Sequence, residues 1–244
     1  MPSLASQSAL ITGGNKGIGK GIARAFAREG ADLTLVARGR DLLDQTAADL
    51  EREFGVRVLA LTADVTDERQ VMDVFAHHME KFGRLDILVN NAGAFDAGPI
   101  DELSLAAWER VMAVNLRGPF LCTREAFRIM KNRGVGRIIN IGSISAQRVR
   151  HSSAPYSASK HGLWGLTQVT ALEGRDHGIS CGCLHPGNVR VERRQASGKT
   201  EDEEPMMTPD ELAQAAVVMA SLPPHVNMLE AIVLPVGQLY VGRG

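Results

Sequence analysis

The chain has 244 residues, 44% of them hydrophobic and 23% charged, with a formal net charge of −1. That length and balance suit a globular α/β protein with a sizeable core, and exclude a strongly basic nucleic-acid binder or a surface built for anionic membranes. No apolar run approaches a bilayer span and the opening "MPSLASQSALITGG" lacks the basic segment of a secretory signal, so a cytoplasmic protein is expected.

Seven short apolar runs, at 8–12, 32–37, 57–63, 85–90, 137–142, 179–184 and 230–235, predict strands. Between them, residues 17–29, 40–53, 68–82, 105–130, 154–176 and 209–221 carry apolar side chains at three- and four-residue spacing and predict helices. Strands alternating with helices imply parallel pairing through helical crossovers. The expected fold is therefore one Rossmann-like, doubly wound domain over residues 1–244, with about seven parallel strands and helices on both faces. The charged, apolar-poor segment 190–207, "RVERRQASGKTEDEEPMM", predicts a mobile loop beside the substrate. Cys122, Cys181 and Cys183 are too few for a disulfide framework and fit a reducing compartment.

The first strand runs into "TGGNKGIGKG", residues 12–21, and then a helix. Strand, glycine turn and helix form a dinucleotide cradle: glycines let the backbone approach a pyrophosphate, and helix N-terminal amides face it. Gly13, Asn15, Lys16, Gly17, Ile18 and Gly19 are the expected cradle residues. After the second strand, where a carboxylate would receive the ribose hydroxyls of NAD, the sequence reads "VARGR" and offers Arg38 instead. Arg38 and Lys16 suit the extra phosphate of NADP, so NADP(H) is expected over NAD(H).

"INIGSIS" puts Ser143 just past the fifth strand, and "APYSASK" puts Tyr156 and Lys160 one turn apart on the next helix. Strand carboxyl ends are where ligands bind in such sheets. A tyrosine near an ammonium can exchange a proton with an alcohol oxygen, and a neighbouring serine can hold that oxygen.

These segments, with "DVTD" (64–67), "NNAG" (90–93), "VNLRG" (114–118) and "HPGNV" (185–189), resemble the short-chain dehydrogenase/reductase family, single-domain type, over nearly the whole chain. The resemblance implies Tyr156 as general acid or base, Lys160 supporting it and binding the nicotinamide ribose, and Ser143 polarising the carbonyl. It implies that Asn115 holds a water linking Lys160 to solvent. Asp64 would accept from the adenine amino group beside Val65; Asn90, Ala92 and Gly93 would line the groove, and Asn91 would brace the sheet. Pro186, Gly187 and Val189 would surround the nicotinamide. Hydride would pass directly between cofactor and substrate carbon, without a metal.

Arg148, Arg150 and His151, before Tyr156, and Arg190, Arg193 and Arg194, in the loop, suggest a substrate with a carboxylate or other anionic group. The alternative is that they are solvated charges balanced by "EDEE" (201–204). The ending "LPPHVNMLEAIVLPVGQLYVGRG" departs from the T-G-Q…V-D-G-G pattern of many family members and resembles the subgroup acting on 3-hydroxy acids and serine-like substrates. The expected activity is NADP(H)-dependent interconversion of a ketone and a secondary alcohol, with a hydroxy or oxo acid among the substrates expected. A 3-oxoacyl-thioester reductase is the enzymatic alternative, and a cofactor-sensing regulator the non-enzymatic one. A homodimer or homotetramer is expected, since the family's long fourth and fifth helices pack against a partner.

Cys181, Cys183 and His185 share one face of a strand, but with no evident fourth ligand they read as buried core. His77 and His78 read as solvent-facing, and Trp108 and Trp164 as core or interface.

Overall fold

In the computed structural model, which describes residues 3–192 and 205–240, the apolar runs become strands β1 (Ser8–Thr12), β2 (Asp32–Ala37), β3 (Val58–Thr62), β4 (Ile87–Asn90), β5 (Gly136–Ile141), β6 (Ile179–Pro186) and β7 (Glu230–Val233). All pair in parallel, in the order 3-2-1-4-5-6-7. β6 runs two residues further than expected, because Pro186 still faces Val233. β7 stops short of Pro235, which has no N–H for the ladder.

The crossovers are α1 (Gly17–Arg28), α2 (Arg40–Phe54), α3 (Glu68–Phe82), α4 (Leu105–Met112), α5 (Gly118–Arg133), α6 (Ala154–Gly174) and α7 (Pro209–Ser221). Alternate residues of each strand serve opposite faces. Ile11, Leu33 and Leu35 pack with Ile22 and Phe26 of α1 and Leu212 of α7. Leu10, Leu88 and Ile138 face the other layer, with Phe75 of α3 and Leu121 and Met130 of α5. Full burial of each such side chain is worth roughly 1.5–3 kcal/mol. β1 has β2 on one side and β4 on the other, so the crossover direction reverses there and a crevice opens at the carboxyl ends.

Two expectations need correction. The stretch 105–130 is not one α-helix: α4 passes through a π-helical turn, Ala113–Arg117, before α5. Pro119 has no N–H to offer the carbonyl of Asn115 four residues back, and its ring crowds that carbonyl; the chain widens instead, and Gly118 N–H bonds the carbonyl of Ala113. His78 is not solvent-facing. It shares the buried face of α3 with Val71, Val74 and Phe75, its Nδ1 lying 2.7 Å from Thr34 Oγ1 and its Nε2 2.9 Å from the carbonyl of Arg84. His77 is exposed, as expected.

Candidate active site

The turn from β1 to α1 is built from its glycines. Gly13 and Gly17 have φ of 65° and 52°, a region that favours glycine. At Gly19 a Cβ would lie 2.1 Å from the carbonyl oxygen of Gly13, so no other residue lets α1 start this close to β1. Asn91 ties the turn to β4: its Nδ2 donates to the carbonyls of Thr12 and Gly13 at 2.9 and 3.1 Å. Thr12 Oγ1 accepts the N–H groups of Asn91 and Ala92, both at 3.0 Å. The carbonyl of Asn15 accepts from Thr46, and Ile18 packs on the core.

Lys16 is the N-cap of α1 but makes no side-chain cap, so the first amides of the helix are available to an anion. Gly17 N–H donates to Glu192 Oε1 at 3.3 Å, so a carboxylate from the segment after β6 sits at this end of α1. Lys16 and Arg38 are exposed, and neither forms an ion pair among the described residues. A glycine-built cradle at a helix N-terminus, beside two cations without an ion pair among the described residues, fits a dinucleotide.

Further along the crevice, Asp64 accepts the N–H and O–H of Thr66 on Oδ1 at 2.9 and 2.8 Å. Val65 is buried, and a Cβ at Gly118 would lie 2.9 Å from its Cγ2. Asn90 ends β4. Its side chain is buried, donating to Thr123 Oγ1 and Asn140 Oδ1 at 3.1 and 2.8 Å, so only its backbone can line the groove. Ala92 and Gly93 continue from β4 toward Asn115, whose Oδ1 would lie 3.7 Å from a Cβ at Gly93.

The π turn brings Asn115, fully buried, between β4 and α6. Its Oδ1 accepts Ala94 N–H at 2.7 Å, and its Nδ2 donates to the Ala94 carbonyl at 2.9 Å and to Ser159 Oγ at 3.1 Å. Ser159 in turn donates to the carbonyl of Tyr156 at 2.7 Å. Lys160 is buried, with Nζ donating to the carbonyl of Ile141 at 2.7 Å and lying 5.7 Å from the centre of the Tyr156 ring. Phe95 meets that ring edge-on at 5.2 Å. Ser143 follows β5 by two residues; its Oγ accepts Ser145 N–H at 3.1 Å. Sheet end, π turn and α6 are thus joined around Asn115, Ser143, Tyr156 and Lys160.

Past β6, Gly187 N–H bonds the carbonyl of Val233 at 2.8 Å and Asn188 N–H bonds Gln238 Oε1 at 2.8 Å. A Cβ at Gly187 would lie 2.1 Å from that oxygen. Val189 bridges Met207, and Arg190 N–H donates to the Met207 carbonyl at 2.8 Å, so the ends of the expected loop are fastened together. Its middle, with Arg193, Arg194 and the acidic run 201–204, lies outside the described residues. The guanidinium of Arg148 stacks on Tyr240 at 5.2 Å; Arg150, His151 and Arg190 are exposed.

The sequence reading missed Gln238, Glu192 and the part played by His185, which touches the backbone of Ser143 through Nδ1 at 2.9 Å. Pairing of β5 with β6 puts position 185 beside 142, a neighbourhood legible only once the strand order is known. Burial pushes the Cys181 thiol up, and Cys183 up to about 12, so both are held as thiols.

A glycine cradle at the crevice of a doubly wound sheet, with a tyrosine and a lysine at its carboxyl edge, defines a nucleotide-dependent oxidoreductase. The family model for short chain dehydrogenases matches residues 7–202, and the chain belongs to that family as an NAD(P)-dependent oxidoreductase. It is 43% identical to the "uncharacterized oxidoreductase YxjF" of Bacillus subtilis (strain 168), over 75% of this chain and 71% of that protein. It is 35% identical to the gluconate 5-dehydrogenase of Gluconobacter oxydans (strain 621H), over 78% of this chain and 74% of that one. The crystal structure of an alcohol dehydrogenase from the archaeon Thermococcus sibiricus, complexed with 5-hydroxy-NADP, is similar at a TM-score of 0.88 and 30% identity, covering 95% of this chain and 97% of that one.

Proposed function

We propose that this protein is an NADP(H)-dependent oxidoreductase that interconverts a ketone and a secondary alcohol, with a hydroxy or oxo acid as its substrate class. The observation that carries this reading is the Lys160 ammonium, buried and fixed to the end of β5, one turn from Tyr156 and close to Ser143 in the fold. A bound nicotinamide would supply the hydride in reduction and accept it in oxidation. Ser143 donates its O–H to the substrate oxygen, while its Oγ takes the N–H of Ser145. Tyr156 delivers a proton to that oxygen in reduction and removes it in oxidation. Lys160 sets positive charge beside the tyrosine as the proton leaves, and Asn115 connects this pair to solvent through water. Asp64, Val65, Ala92, Gly93 and the backbone of Asn90 receive the adenosine half; Pro186, Gly187 and Val189 receive the nicotinamide half.

Two exposed cations, Lys16 and Arg38, neither in an ion pair among the described residues, support NADP(H) over NAD(H). The similar archaeal structure carries an NADP derivative, and the Gluconobacter relative is named for a hydroxy acid. Arg148, Arg150 and Arg190 are the cations proposed to hold the acid group. Turnover of oxo acids and neutral ketones with NADPH and NADH tests the reading. NADPH-dependent reduction of an oxo acid is expected, with KM raised by at least one of Arg148→Ala, Arg150→Ala or Arg190→Ala. Unaltered KM in all three variants sinks the anion assignment. Arg38→Ala is expected to weaken NADPH about ten- to a hundredfold and leave NADH unchanged, the worth of one charge-assisted contact. Equal affinities in the wild type would turn the cofactor assignment to NAD(H).

We further propose that the molecule assembles as a homodimer or homotetramer through a shallow groove of about 950 Å³ lined by Trp108, Met112, Leu116, Phe120 and Leu166, on the α4–α5 and α6 face.

A further inference from the structure

His185 stands on β6 with no solvent exposure, beside the first residues after β5. Its Nδ1 lies 2.9 Å from the carbonyl oxygen of Ser143 and 3.3 Å from the Ser143 amide nitrogen. The ring reaches that backbone because position 142 is glycine: a Cβ there would lie 2.6 Å from Nδ1. Trp164 of α6 meets the ring edge-on, 5.7 Å between centres. The other nitrogen, Nε2, is buried and has no hydrogen bond, but Glu230 Oε1 is 3.3 Å away. That Glu230 oxygen also accepts from Gln147, whose own oxygen accepts the hydroxyl of Tyr240.

One imidazole nitrogen cannot donate and accept at the same time. With the proton on Nε2, the ring offers N–H toward Glu230 and Nδ1 accepts the N–H of Ser143 at 3.3 Å, but its lone pair then faces the Ser143 carbonyl oxygen at 2.9 Å. With the proton on Nδ1, the ring donates to the Ser143 carbonyl and turns a lone pair on the Glu230 carboxylate, which repels it. Burial lowers the affinity of His185 for a second proton, so the ring is neutral and one of these two forms must hold.

We propose that His185 is a positioning residue for Ser143: its Nδ1 holds the backbone from which the Ser143 hydroxyl projects, and Glu230, against Nε2, governs which tautomer does so. This rests on the reading of Ser143 as the group that holds the substrate oxygen. The loop that carries Gln147, and Tyr240 near the C-terminus, are connected to Ser143 by the same chain of contacts.

A double-mutant cycle on kcat tests it, using NADPH and the best substrate of the wild type. His185→Leu and Glu230→Ala are each expected to lower kcat about tenfold, with the Kd for NADPH and the melting temperature little changed. His185→Asn, which keeps an amide near the place of Nδ1, is expected to recover kcat to within about threefold. In a Ser143→Ala background the same substitutions should change kcat less than about twofold, because the residue they act through is gone. Nitrogen-15 spectra of histidine-labelled protein should show the His185 ring as a single neutral tautomer, and Glu230→Ala should shift it. Glu230 is partly exposed, so its variant keeps the test open if those at position 185 do not fold. Equal losses in both backgrounds, or full kcat in Glu230→Ala, overturn the proposal while leaving Ser143 in its role. Full kcat in Ser143→Ala alone overturns the reading of Ser143, and the proposal with it.

Discussion

Gly19 shows how much of the site is decided by one missing side chain. A Cβ there meets backbone at 2.1 Å, and backbone cannot move aside as a flexible side chain can. Gly19→Ala is therefore expected to weaken NADPH binding at least tenfold and to lower the melting temperature, as read by fluorescence titration and thermal unfolding. Unchanged affinity would mean that the turn is not the cradle. Glu192 acts in the opposite sense. Its carboxylate occupies the amide end of α1 and must leave before a pyrophosphate can bind there. Glu192→Gln is expected to tighten NADPH about threefold, in keeping with the small worth of an exposed charge contact, and a looser Kd would contradict this. The glycines were legible because their spacing between strand and helix has a physical meaning. Glu192 was not, since its partner lies 175 residues away in the chain.

At the scale of elements, the π turn and α3 carry the consequences. Pro119 stands where a regular helix would need an N–H for the carbonyl of Asn115, and the turn that results sets Asn115 between Ala94 and Ser159. Pro119→Ala removes the obstacle. It is expected to lower kcat at least fivefold with little loss of stability, whereas wild-type kcat would show that Asn115 does not depend on the turn. The proline was in plain view, yet apolar spacing runs smoothly across 105–130 and hides the change of pitch.

In α3, burial pushes the His78 imidazole from its ordinary 6.5 down to about 4. The unfolded chain therefore binds the proton more readily, so stability is full above pH 6.5 and falls as pH drops toward 4. Roughly 2 kcal/mol should be lost between pH 7 and pH 5, measurable by urea unfolding, and most of that loss should vanish in His78→Gln. A loss equally large in the variant would assign it elsewhere. Burial works to raise the Asp86 carboxyl, but hydrogen bonds from Arg84, Ser8 and Arg133 outweigh it and hold the group low, so its own contribution is lost only in stronger acid. The spacing Val71, Val74, Phe75, His78 marks one face of a helix, and the position of His78 was readable from it.

For the whole molecule, alternation of apolar runs with amphipathic stretches was enough to foresee a parallel, doubly wound sheet, because strands covered on both faces have few polar residues. The order of strands was not written in any one segment. It decides which distant residues meet: Asn91 with Thr12, His185 with Ser143, and Gln238 with Asn188. That is why the placing of Tyr156, Lys160 and Ser143 at the carboxyl edge of the sheet was legible from local motifs while their supports were not. The apolar groove on the α4–α6 face belongs to this scale too. Trp108→Glu is expected to reduce the mass seen by analytical ultracentrifugation, and an unaltered mass would move the interface elsewhere. The most direct measurement is turnover and NADPH binding by Tyr156→Phe beside the wild type. The account predicts that turnover falls by at least about a thousandfold while the Kd for NADPH stays within threefold, because only the proton-transfer group is removed. Turnover preserved in Tyr156→Phe would contradict it and return the protein to the reading in which the bound cofactor is sensed rather than used.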